Sequence, residues 1–179
     1  MIFRELLDAY AEIVTAIMYI RVPGIIKLAD RYPTIGIKSS YSDEKKDTII
    51  NTKSVLDAII REGNKSPKNL RNVMTQVARI FILSVWDMLK NMEEYPRLER
   101  DEIVQFTRHI RNGVAHNNKF DINSTVIDKS TGFLKLLARW RDKVIEARLD
   151  NSVVIPDFLK DGDVYYLIHD LEEHINGKK

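Results

Sequence analysis

Residues 77–89 read VARIFILSVWDML, apolar on nearly every side of a helical wheel. A helix of that character has to be covered by other elements, so it belongs at the centre of a bundle. The rest of the chain offers neighbours for it. Over 2–21, apolar residues at positions 3, 6, 7, 10, 13, 14, 17 and 18 recur with helical spacing. Arg4, Glu5, Asp8 and Glu12 fall elsewhere on the wheel, and they make this stretch unlike a signal peptide or a membrane span.

Pro23, Gly24, Pro33 and Gly36 punctuate a structured connection, with room for a short helix at IIKLADRY. Ser42 before Asp43 and Glu44 has the chemistry of an N-cap, and Ile49, Ile50, Val55, Leu56, Ile59 and Ile60 predict a second long helix up to Gly63. Ser66 with Pro67 opens the central helix. After Pro96, Ile103, Phe106 and Ile110 predict another amphipathic helix, weakened or ended by Gly113 and by Asn117 with Asn118. Phe133, Leu136, Leu137, Trp140, Val144 and Ile145 predict one more, with Lys135, Arg139, Arg141 and Lys143 on its wet side. NSVVIPDFL reads as a short strand or extended clamp, and DVYYLIHDLEEHI as a terminal amphipathic helix.

The expected fold class is all-α: an antiparallel helical bundle with a short C-terminal appendage that can include one strand. At 179 residues this is a single domain, 1–179. Within it, 43–149 is the core bundle, 1–42 the N-terminal helix and connection, and 150–179 an acidic appendage.

Charge is nearly balanced, 28 Lys and Arg against 26 Asp and Glu, so no uniform basic field points to nucleic acid or an anionic membrane. It is unevenly placed, however. Residues 129–148 hold six basic and two acidic side chains, and 150–176 seven acidic side chains and one lysine. The first stretch could track an RNA backbone; the second could pack on a basic surface of its own chain or of a partner. The absence of cysteine excludes a disulfide framework, thiolate zinc sites and cysteine nucleophiles, and makes the reducing cytoplasm the expected location. His169 and His174 are five apart without a third ligand in the pattern, so no metal is expected. Trp86 and Trp140 fall on apolar stripes and read as core, and His109 as a solvated surface residue.

The polar signal is RNGVAHNN, residues 111–118. Arg111 offers a permanent planar cation suited to phosphate oxygens and to the extra negative charge of a pentacoordinate transition state. His116 offers a proton donor or acceptor. A spacing of five on an unbroken helix turns about 140° and rises about 7.5 Å, so a break at Gly113 would help the two converge. Asn112 could hold a phosphate or a 2′-OH or orient His116, and Asn117 and Asn118 are near enough to assist. Asp87, an acid on the apolar central helix, could pair with Arg111 and fix its guanidinium. Arg108 and Lys119 flank the segment as RNA-backbone contacts.

HIRNGVAHNN resembles the signature of the HEPN superfamily: an arginine, a polar residue, further positions, then a histidine, here Arg111, Asn112 and His116. The resemblance extends over roughly 43–149 and implies a small helical bundle. It also implies a metal-independent endoribonuclease without cofactor, cleaving RNA through the ribose 2′-OH at a homodimer interface, in a toxin–antitoxin or antiviral setting with an antitoxin or regulatory protein as partner. The alternative it leaves open is a non-catalytic helical interaction or regulatory subunit.

Overall fold

Where apolar residues repeat every three or four positions across the described N-terminal, central and motif-bearing segments, helices form. The computed structural model describes residues 3–19, 34–37, 48–51, 67–122, 127–128 and 134–178. In chain order the helices are α1 (Arg4–Tyr19), α2 (Pro67–Lys90), α3 (Tyr95–Leu98), α4 (Glu102–Ala115) and α5 (Asp161–Gly177). The strands are β1 (Thr34–Ile37), β2 (Thr48–Asn51), β3 (Arg139–Trp140) and β4 (Lys143–Val144). The protein is thus mostly helical with short two-stranded additions. Among the described residues no helix is long and apolar enough to cross a membrane.

The chain divides into two compact units, one from Met1–Ala11 with Met74–Lys179 and one from Glu12–Val73. In the second, β1 and β2 pair antiparallel with Ile35 opposite Ile50 and Gly36 opposite Ile49. The long helix expected over 43–63 is therefore corrected at 48–51. Thr48, Ile49 and Ile50 are consecutive β-branched residues, stiff at χ1 and better suited to a strand. The rest of that expected helix, and the one at IIKLADRY, lie outside the described residues.

The first unit carries the site. Ala78, Ile82, Val85 and Leu89 of α2 follow one helical stripe and are fully buried. Enclosure on all sides, expected for 77–89, does not hold: Ile80 is 60% exposed and Met88 37%. α5 contributes Val164, Leu167, Ile168, Leu171 and Ile175 to the same core. It is tied to α1 and α2 by polar contacts: the Tyr10 hydroxyl donates to the Asp161 carbonyl at 2.7 Å, and Thr75 Oγ1 to Asp161 Oδ1 at 3.0 Å. The buried face of α5 is thus part of this unit's core.

The helix expected from 133 to 145 is also corrected. Ala138 and Trp140 are buried while Leu137, Arg139 and Arg141 are exposed, a period of two. β3 and β4 form a tight hairpin with Arg139 opposite Val144. Its tip places Arg141 at φ 52°, in the left-handed region that a non-glycine residue rarely occupies. Asp170 holds that residue there, accepting from Arg141 Nε at 2.7 Å and Nη2 at 3.1 Å and from Trp140 Nε1 at 2.8 Å. Lys143 donates to the Phe158 carbonyl at 3.0 Å, and Arg139 to Glu102 at 2.8 Å. Of the two fates considered for the acidic stretch, packing on basic side chains of its own chain is the one observed for Asp170.

Candidate functional site at the end of α4

Val104, Phe106, Ile110 and Val114 bury one face of α4, with Gln105 and Thr107 buried beside them, while Arg111 and Asn112 are half-buried and Ala115 and His116 exposed. The helix runs without a break through Gly113 to Ala115 and ends at His116, whose backbone is no longer helical (φ −98°, ψ 68°). The His116 amide donates to the carbonyls of Asn112 at 3.0 Å and Gly113 at 3.1 Å. Asn117 (φ 57°) and Asn118 (φ 61°) then turn the chain through left-handed conformations that asparagine tolerates. The pair of asparagines ends the helix. Gly113 does not, contrary to expectation; its role is close approach. A Cβ there would lie 2.5 Å from Val154 Cγ2 and 3.1 Å from the Lys119 carbonyl oxygen.

Asn118 is committed to structure. Its side-chain amide donates to the Ile155 carbonyl and its Oδ1 accepts from the Ile155 amide at 3.2 Å, while its own carbonyl accepts from Val154 at 3.0 Å. Asn117 is exposed at the turn. Asn112 is half-buried, and its Oδ1 accepts from Arg111 Nη1 at 3.3 Å, so it orients the guanidinium rather than His116. Arg111 is half-buried with its Nε enclosed and without an acceptor. His116 is exposed. No hydrogen bond joins Arg111 to His116; with the helix intact, their Cα positions keep the 140° divergence of an uninterrupted turn.

Asp87 is exposed and forms no ion pair with Arg111. The residue of α2 that reaches this end of α4 is Arg79, eight positions earlier and roughly 12 Å away along the helix axis. Arg79 Nη2 donates to the Val114 carbonyl at 3.0 Å and Nη1 to Gln76 Oε1 at 3.1 Å, and its Nε, like that of Arg111, is buried without an acceptor. Sequence reasoning missed it, since it lies 35 residues from its partner inside an apolar run. Its only signal was an arginine on a helix read as core.

Arg108 is half-buried and Lys119 exposed, with Lys119 bridged to Val153 through the backbone. His109 is a correction. It is half-buried rather than solvated, and burial, with the Arg108 charge beside it, pushes its pKa down from 6.5 to about 4.

Charge is distributed unequally along α4. At its start, Arg139 pairs with Glu102, Arg141 with Asp170, and Asp101 with both Lys178 (2.7 Å) and His174 (2.9 Å). Burial pushes the Asp101 carboxyl up, but the bonds from Lys178 and His174 outweigh it and hold it below the usual carboxylate value. Asp101, Glu102, Arg139, Arg141, Asp170 and His174 line a groove of about 440 Å³, each paired with an opposite charge. Further along α4, Arg108 at mid-helix and Arg79, Arg111 and Lys119 near its end have no carboxylate within 4.0 Å among the described residues. Among the described residues His169, Asp170 and Glu173 place potential metal-binding atoms within 4.8 Å of one another. Both Asp170 oxygens are already taken by Trp140 and Arg141.

Comparison with known proteins finds no matching family model, no matching curated protein and no matching solved structure.

Proposed function

We propose that the chain is a metal-independent endoribonuclease of the HEPN type, an antiparallel helical bundle acting as a homodimer in a toxin–antitoxin or antiviral setting. The observation that carries this reading is the set of cations that, among the described residues, have no carboxylate partner, together with an exposed histidine at the end of α4. Carboxylates compensate Arg139 and Arg141 at the opposite end of that helix, and a phosphate can take their place beside Arg111.

In this mechanism one histidine removes the proton of a ribose 2′-OH, and the oxygen attacks the adjacent phosphorus. The bond to the departing 5′-oxygen breaks as a second histidine protonates it, leaving a 2′,3′-cyclic phosphate and a 5′-hydroxyl. Arg111, oriented by Asn112, stabilises the charge that builds on the phosphoryl oxygens. One His116 per chain does not supply both proton transfers, and Arg111 and His116 diverge within one chain. A twofold dimer supplies two of each. The open apolar face of α2, with Ile80 60% exposed, supports such an association.

The test is incubation of mixed single-stranded RNA with the protein in EDTA, comparing wild type with His116→Ala and Arg111→Ala. We expect cyclic-phosphate products from wild type and a loss of about 10²–10⁴-fold in each variant. Equal cleavage by all three folded proteins would sink the site. A folded wild type that leaves RNA intact would favour the non-catalytic interaction subunit.

A further inference from the structure

We infer that Arg79 is a second phosphate-binding cation of this site, contributed by α2 from outside the RNGVAHNN segment. The inference rests on the nucleic-acid reading above and deepens it. Two geometric facts support it. Arg79 donates to the carbonyl of Val114, three residues beyond Arg111, so its guanidinium stands beside the same turn of α4. Both of its acceptors, the Val114 carbonyl and Gln76 Oε1, are neutral, so its charge is fixed in place without being cancelled.

A guanidinium carries five N–H donors. Two of Arg79's are used, and the enclosed Nε has no acceptor, the same condition as Arg111. The C-terminal end of a helix favours a cation electrostatically, which lets the protein hold Arg79 there with no acid paired to it among the described residues. A simple helix cap would be served equally well by an ion-paired arginine, and the pairing at the other end of α4 shows that this chain builds such pairs freely. The ligand that matches planar forks without carboxylates is a phosphodiester, whose two non-bridging oxygens accept from guanidinium in parallel. Arg79 and Arg111 together would grip the backbone of a single strand from two helices.

The test uses fluorescein-labelled oligothymidylate of about ten nucleotides, a DNA without the 2′-OH and therefore not cut by the proposed chemistry. Anisotropy titrations at several salt concentrations compare wild type, Arg79→Gln, Arg79→Lys and Arg111→Gln. Arg79→Gln keeps a donor for the Val114 carbonyl and removes the charge. We expect it to bind about tenfold more weakly, with a salt slope smaller by about 0.7, and Arg79→Lys to retain the slope with intermediate affinity. Unchanged affinity and slope in Arg79→Gln would overturn the inference, leaving Arg79 as a helix cap. So would a wild type that does not bind the oligonucleotide at low salt.

Phenylglyoxal modification of the wild type gives a readout independent of variant folding. The oligonucleotide should slow labelling of Arg79 several-fold, and equal labelling with and without it contradicts the inference. Binding that depends on Arg79 in a protein that leaves RNA intact would keep this inference and remove the ribonuclease. Cleavage that depends on His116 while Arg79→Gln binds like wild type would do the reverse.

Discussion

His109 lies seven residues before His116, two helical turns, so their Cα positions fall close to one line along α4. Their surroundings differ: His116 is exposed, whereas burial and the neighbouring Arg108 charge hold His109 neutral down to about pH 4. In the unfolded chain an imidazole takes a proton near pH 6.5. The unfolded state therefore binds more protons than the folded one between these values, and stability rises with pH across that window. The contribution is fully present above about pH 6.5 and is lost as pH falls toward 4. A shift of that size corresponds to roughly 3 kcal/mol. We expect His109→Gln to flatten the pH dependence of the melting temperature between pH 4 and 6.5; an unchanged profile would show that His109 is not the group responsible.

At the scale of elements, the end of α4 is defined by what lies against it. Gly113→Ala gains helix propensity of about 1 kcal/mol, but its Cβ would sit 2.5 Å from Val154 Cγ2. Overpacking of that kind costs about 1–3 kcal/mol. The variant should be destabilised in urea unfolding, and a rise in the midpoint would mean that the turn at 154–158 yields easily. This contact was not legible in the sequence, where a glycine near a helix end reads as a terminator. α1, α2, α4 and α5 were legible, because their apolar positions repeat at three and four. At 133–145 the apolar residues were compatible with that spacing, and only the tertiary choice to bury Ala138 and Trp140 while exposing Arg139 selects the hairpin. In the site, Arg111, Asn112 and His116 form one contiguous signal. Arg79 reaches the same turn of α4 through a contact between helices, which no local pattern encodes, and Asp87, expected there as an acid on an apolar helix, sits too far along α2.

At the scale of the whole molecule, the proposed two-chain site requires activity to depend on concentration. Diluting wild type should reduce cleavage more steeply than protein concentration, in step with the fraction of dimer measured by mass photometry. Mixing Arg111→Ala with His116→Ala subunits should give an activity different from that of either variant homodimer, since a mixed dimer carries one Arg111 and one His116, on opposite chains. A monomer as active as the dimer would defeat the two-chain site.

The clamp of Asn118 on Ile155 joins residues 37 apart. During synthesis Arg111 and His116 emerge first, and the residues that Gly113 and Asn118 close upon are added afterwards. The end of α4 therefore takes its final form only when the later segment docks. A nascent chain carries the polar residues of the segment before it carries their geometry.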